Sequence, residues 1–217
     1  RLPGRRILRV IALSPMLAPS LMPAISLVYL FGNQGLLKSW LGDASIYGPI
    51  GIVLGEVFYT FPHALLILLA ALSVADARLY EAAETMGASK LRRFLTVTLP
   101  TAHYGVVAAA MVVFTLVVTD FGIPKVIGGQ TNVLALEAYK QVIGQQNFSK
   151  GAIIGVLLLL PAILSFMVER WLSKRQSGQL SGRSVVYQAG RNFWRDGVLG
   201  LLCVATSVFL LALLGVG

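Results

Sequence analysis

Charge is scarce in this chain of 217 residues: Asp, Glu, Lys and Arg together make up 12%, against about 25% in soluble domains. There is one cysteine, Cys203, which excludes a disulfide framework or a thiolate metal cluster. There are two histidines, and His63 has no second His or Cys at ligand spacing, so no metal site is expected. No G-x-x-x-x-G-K-[ST] run occurs. The pair Gly128-Gly129 lacks the Lys and Ser/Thr that would hold a phosphate and its magnesium, so no nucleotide or other cofactor is expected on this chain. Ser/His/Asp and H-E-x-x-H arrangements are missing too, and no catalytic residue is assigned. Acidic residues number 9 against 18 basic, a net charge of +9. The basic residues fall in separated flanks rather than in one patch interleaved with aromatics, which argues against a nucleic-acid partner.

What is abundant is apolar. Hydrophobic residues make up 56% and mean hydropathy is +0.77, so the solvent is a lipid bilayer. A helical span takes about 20 residues, and about five fit. Val10 to Phe31 is the first. Pro15, Pro19 and Pro23 recur in it every four residues, predicting a kinked helix packed inside a bundle, with a broken or re-entrant segment as the alternative. The basic start and this apolar run imitate a signal peptide, but the prolines and the lack of a small-residue cleavage site count against one. After a polar loop (32–45) with Trp40 as an interface anchor, Ile46 to Val74 is long enough to tilt or to bend at Pro62. His103 to Thr119 opens with small residues, Gly105, Ala108, Ala109 and Ala110, which permit close helix approach. In the mixed segment 120–150, Leu134 to Ile143 predicts a short helix at the membrane surface. Gly151 to Val168 is a fourth span. A Ser/Gly/Gln-rich basic linker (169–197) precedes the start of a fifth.

One long polar break interrupts this pattern, DARLYEAAETMGASKLRRFLTVTLP from Asp76 to Pro100. Asp76 can cap a first helix, Gly87 can end it with positive φ, and Ser89 can cap a second that stops before Pro100. Glu81-Ala82-Ala83, then Gly87 after three residues, then Val97, Thr98, Leu99 and Pro100 after nine more, resemble the EAA loop of ABC importer permeases, E-A-A-x3-G-x9-I-x-L-P. Val97 for Ile is the one departure. The resemblance implies an all-α polytopic transmembrane helix bundle of the type I ABC importer permease kind in the bacterial inner membrane. It implies that 76–100 is a cytoplasmic coupling helix docking on a separate ATP-binding subunit, with Glu81 seating it and Gly87 allowing its turn. It further implies a periplasmic substrate-binding protein and a second permease half.

Charge bias agrees. Of the 18 Lys and Arg, all but Lys38, Lys125, Lys140 and Lys150 lie in segments 1–9, 75–103 and 169–197, which the positive-inside rule assigns to the cytoplasm. DFGIPKVIGG (120–129), VLALEAYKQVIGQQNFSKGA (133–152) and the basic linker are further similar to permeases of the 2-aminoethylphosphonate and ferric-iron branch, where two halves are often fused. On that reading the chain is a fragment. Residues 1–168 are a permease domain lacking its first span, and about 184–217 begins a second half. A phosphonate such as 2-aminoethylphosphonate is the favoured cargo, with ferric iron, thiosulfate or polyamine as alternatives and a secondary transporter as the other class.

Two further constellations hold polar side chains. Glu56, Tyr59, Thr60 and His63 share one helix face, and a carboxyl within a span is a functional candidate by default. They either line a translocation path or hydrogen-bond the bundle together. Asp120, Gly122, Pro124 and Lys125 sit at the outer end of the third span, where freed N–H groups beside a cation suit anions. They form either an outer gate or a helix-end turn.

Overall fold

The computed structural model describes residues 5–73, 76–176 and 193–216, and every helix or strand element among them is helical. α1 (Arg5–Leu13) and one tight turn (Ser14–Leu17) lead to α2 (Leu21–Phe31). The two arms meet at 100°, so the expected single kinked span is two helices. The prolines explain the break. Pro15 falls in the first positions of the tight turn, and Pro23 is the third residue of α2. At these positions a backbone N–H would have no intrahelical acceptor. Ala18, just before Pro19, is extended at ψ 140°, as the residue ahead of a proline prefers. Prolines at this spacing start helices here instead of puncturing one.

After the one-turn α3 (Lys38–Leu41), α4 (Pro49–Ser73) is the second span, 25 residues long with Pro62 inside it. Val74, the expected last residue of that span, lies outside the described residues. α5 (Ala77–Thr85) and α6 (Lys90–Arg93) form the polar elbow. The second elbow helix does not stop before Pro100. It passes through a wide turn, Phe94–Thr98, into α7 (Leu99–Thr119), giving one apolar stretch of 30 residues. In the wide turn the Leu99 N–H reaches back to the Phe94 carbonyl. The extra residue makes room for the proline ring, which would clash with a carbonyl in a regular turn.

α8 (Gly122–Ile127) and α9 (Leu134–Tyr139) follow, the latter running into a second wide turn over Lys140–Gly144. α9 buries Ala135 and Leu136 and packs on α10 (Phe148–Gln176). α10 outruns the expected 151–168 and carries the start of the linker as helix. Residues 177–192, the middle of the expected linker, lie outside the described residues. The linker's last five residues, 193–197, open α11 (Phe193–Val216), which takes the place of the fifth span. By length and apolarity three stretches can cross a membrane, four with the bent pair counted as one, among the residues searched.

Two glycine-lined seams hold the bundle. Ala24 and Leu27 of α2, Ile46, and Ile123 and Ile127 of α8 form the buried core. Gly51 and Gly55, one turn apart on α4, accept that isoleucine pair. A Cβ at Gly55 would stand 2.8 Å from Ile123 Cγ2, and one at Gly51 2.9 Å from Ile127 Cγ1. The second seam joins α4 and α7, where Gly105 lies against Ala71. The buried small residues of α7 are Ala102, Gly105 and Ala109, while Ala110 faces outward. The small-residue stripe therefore follows helical spacing, not the run in sequence.

Candidate functional site

The elbow is built from local signals. Asp76 Oδ1 accepts from Arg78 N at 3.1 Å, and Ser89 Oγ accepts from Arg92 N at 3.3 Å. Each satisfies a first-turn donor. Between them Gly87 stands at φ +70°, and Ala88 N donates to Ala83 O at 2.9 Å to close the turn. α5 buries Ala77, Tyr80 and Ala83. Glu81 and Ala82 point outward with Leu79 and Met86, the last 79% exposed. Leu99 and Pro100 are exposed beyond the wide turn. This outer face sets the apolar Leu79, Ala82 and Met86 beside the charged Arg78, Glu81 and Glu84. Arg93 Nη1 lies 2.9 Å from Glu84 Oε2; with Glu84 in water, such a pair contributes little. Tyr80 did not stand out from the sequence. Its burial and its hydroxyl contact with Thr98, at 2.9 Å, become visible only when residues 18 apart are brought together.

On α4 the polar stripe divides. Glu56 and Thr60 are buried, 4% and 5% exposed, facing into the bundle. Tyr59 and His63 are half-buried, with their rings 5.5 Å apart. Thr60 Oγ1 donates to Glu56 O at 2.7 Å, and His63 Nδ1 lies 3.2 Å from Tyr59 O. Asp120 joins this group from the α7–α8 junction. Its Oδ2 accepts from Ile123 N at 2.8 Å, and its carboxyl is close enough to Glu56 to interact with it. Neither Glu56 oxygen has a hydrogen-bond partner at ordinary distance among the described residues. The fold thus brings together two acidic residues that the sequence separates by a span and the elbow.

The other residues grouped with Asp120 diverge from it. Gly122 and Pro124 are buried, and their helix supplies two isoleucines of the core. The segment is a short helix packed into the core. Lys125 is exposed, and its ammonium lies 5.0 Å over the Tyr139 ring, a cation–π contact. Among the described residues no three His, Cys, Asp or Glu side chains come together to hold a metal.

Because neither Glu56 oxygen meets a hydrogen-bond donor among the described residues, Glu56→Gln is expected to leave membrane abundance unchanged. Uptake should stay within about twofold, since an amide of the same shape keeps a polar side chain beside Asp120 and offers it a donor. Immunoblotting and an uptake assay check this. A collapse of uptake at normal abundance would mean the carboxylate itself acts on the solute.

Comparison with known proteins adds a family. The family described as "Binding-protein-dependent transport system inner membrane component" matches residues 2–178. A ferric transport system permease protein, FbpB of Actinobacillus pleuropneumoniae, is 24% identical over 185 residues, covering 81% of this chain and 27% of the relative. The molybdenum transport system permease protein ModB of Escherichia coli (strain K12) is 26% identical over 189 residues, covering 83% and 82%. A probable sulfate transport system permease protein, cysT of Nephroselmis olivacea, is 25% identical over 176 residues, covering 78% and 62%. The chain spans little more than a quarter of the length of the ferric relatives it matches.

Proposed function

This chain belongs to the family of binding-protein-dependent transport system inner membrane components, and on that premise we propose that it is a permease half of an ATP-driven importer. The observation that carries the proposal is the elbow: a capped, solvent-facing helix, α5, standing clear of the bundle between two long apolar stretches. Substrate is delivered by a periplasmic binding protein at the side of 32–45 and 120–150. A separate ATPase subunit grips the outward face of α5, with Glu81 seating it. A second permease half, fused or separate, completes the path. ATP binding draws two such elbows together and switches the bundle between outward- and inward-open states. Tyr59 and His63, half-buried on α4, line the path. Glu56 and Thr60 are turned inward, with Glu56 beside Asp120 at the α7–α8 junction. The α8 plug, with Lys125 at its rim, forms the outer gate.

The cargo we favour is a phosphonate such as 2-aminoethylphosphonate. The exposed cations Lys125, Lys140 and Lys150 on the receiving side support an anionic cargo, within the 2-aminoethylphosphonate and ferric-iron branch that 120–129 and 133–152 resemble. The second reading is ferric iron, which the name of the FbpB relative favours; thiosulfate and polyamine remain alternatives. Competition among these four for uptake, with the cognate binding protein present, separates them.

The coupling role is tested by Met86→Cys in a Cys203→Ser background. A bifunctional thiol reagent should join position 86 to the ATPase subunit, and a membrane-impermeant maleimide applied from outside should not reach it. Labelling from outside, or no crosslink to the ATPase, would overturn the assignment.

A further inference from the structure

We propose that Tyr80 is a positioning residue that transmits movement of α5 into the membrane by holding Thr98, the last residue of the wide turn at the foot of α7. The inference rests on the permease reading above and adds a specific mechanical link to it.

α5 packs lightly on the rest of the elbow, and the visible ties differ in quality. The Arg93–Glu84 pair is water-exposed at Glu84, 71%, and exchanges readily with solvent. The Ala88 N–H bond to Ala83 O closes the turn but does not leave it. Tyr80, by contrast, is 8% exposed, and its hydroxyl donates to Thr98 Oγ1 at 2.9 Å. This part-buried bond resists exchange with water better than the exposed ion pair. It joins α5 to the wide turn across the Gly87 bend.

Thr98 is unusual among its neighbours. Thr96, Thr101, Thr115 and Thr119 each donate to the carbonyl four residues back. For Thr98 that carbonyl belongs to Phe94, which already accepts the Leu99 N–H of the wide turn. Its side-chain oxygen instead accepts from Tyr80. The wide turn contains one residue more than a regular turn, as bulges at functional sites often do; in this proposal it shifts along the helix by exchanging one set of backbone bonds for the next. A shift would rotate the exposed foot of the helix relative to the α4–α7 seam. Holding Thr98 through Tyr80 ties the bulge position to the position of α5.

The test uses the assembled transporter, with its ATPase and binding protein, in proteoliposomes. Tyr80→Phe keeps the buried ring and removes the hydroxyl; Thr98→Val removes the acceptor at nearly constant volume; Thr98→Ser keeps it. Each of the first two should lower solute moved per ATP hydrolysed by about fivefold, the low end of typical couplings between sites. The double variant should be no worse than either alone, and Thr98→Ser should restore coupling. A transport-to-ATP ratio unchanged in Tyr80→Phe, or single effects that multiply in the double variant, would overturn the link. In the purified chain, Tyr80→Phe should also speed amide exchange over 94–99 while sparing 105–119, and unchanged exchange over 94–99 would overturn it as well. The wild-type arm keeps the two readings apart. If wild type shows no ATP-driven uptake, the permease reading fails and takes this proposal with it. If wild type is coupled and Tyr80→Phe is equally coupled, only the link fails.

Discussion

Gly87→Val abolishes ATP-driven uptake, at least about tenfold below the parent, while the chain still inserts and accumulates: this is the expected result at the elbow. Gly87 sits at φ +70°, where a side chain costs roughly 1–2 kcal/mol and a β-branched one is a true outlier. Nothing lies within 4 Å of where its Cβ would stand. The penalty is therefore one of backbone conformation, with no collision to relieve. The chain escapes it by adopting another turn, which swings α5 away from the position set by the Asp76 and Ser89 caps. The spans are untouched, so insertion is preserved. Asn tolerates this backbone region, so Gly87→Asn should keep uptake within about threefold of wild type. Uptake into vesicles together with immunoblotting checks both variants. Full uptake by the valine variant would point to a secondary carrier that needs no coupling elbow.

The second large effect is expected at the α4–α7 seam. Gly105→Leu should lower the amount of folded, protease-resistant protein at least about fivefold, because any Cβ at this position collides with Ala71. Lipid gives helices no hydrophobic drive to associate, so stability depends on close backbone approach. Forcing a seam apart to admit a side chain costs about 1–3 kcal/mol or more. Ala110→Leu, on the outward side of the same helix, should be silent. Equal abundance of the two variants in detergent, measured by size exclusion and limited proteolysis, would mean that the seam does not hold the bundle.

These two positions were not equally legible in the sequence. Gly87 stood out because a helix between Asp76 and a following Ser89 cap needs a left-handed residue near its end, and only local chemistry is involved. Gly105 was recognised as one of a run of small residues, yet which of them face α4 depends on helix phase. Ala102 is buried one turn before Gly105, and Ala110 is exposed. The prolines of 15–23 misled in a related way. Their spacing suggested one punctured helix, but a proline is harmless in a first turn, and only the folded chain decides where first turns fall. Pro100 likewise predicted an ending, and the widened turn absorbed it.

By itself the sequence determined the membrane setting, the helical class, the elbow with its caps and its glycine, and the family resemblance that the comparison bears out. All of these depend on composition or on residues within a few turns of one another, where backbone propensity and solvation act directly. The tertiary structure alone decided that Glu56 meets Asp120, that Ile123 and Ile127 seat against Gly51 and Gly55, and that Tyr80 reaches Thr98. Those pairings join residues from separate helices or from opposite sides of the elbow, and their contact follows from how backbones approach and rotate against each other, which no local pattern encodes.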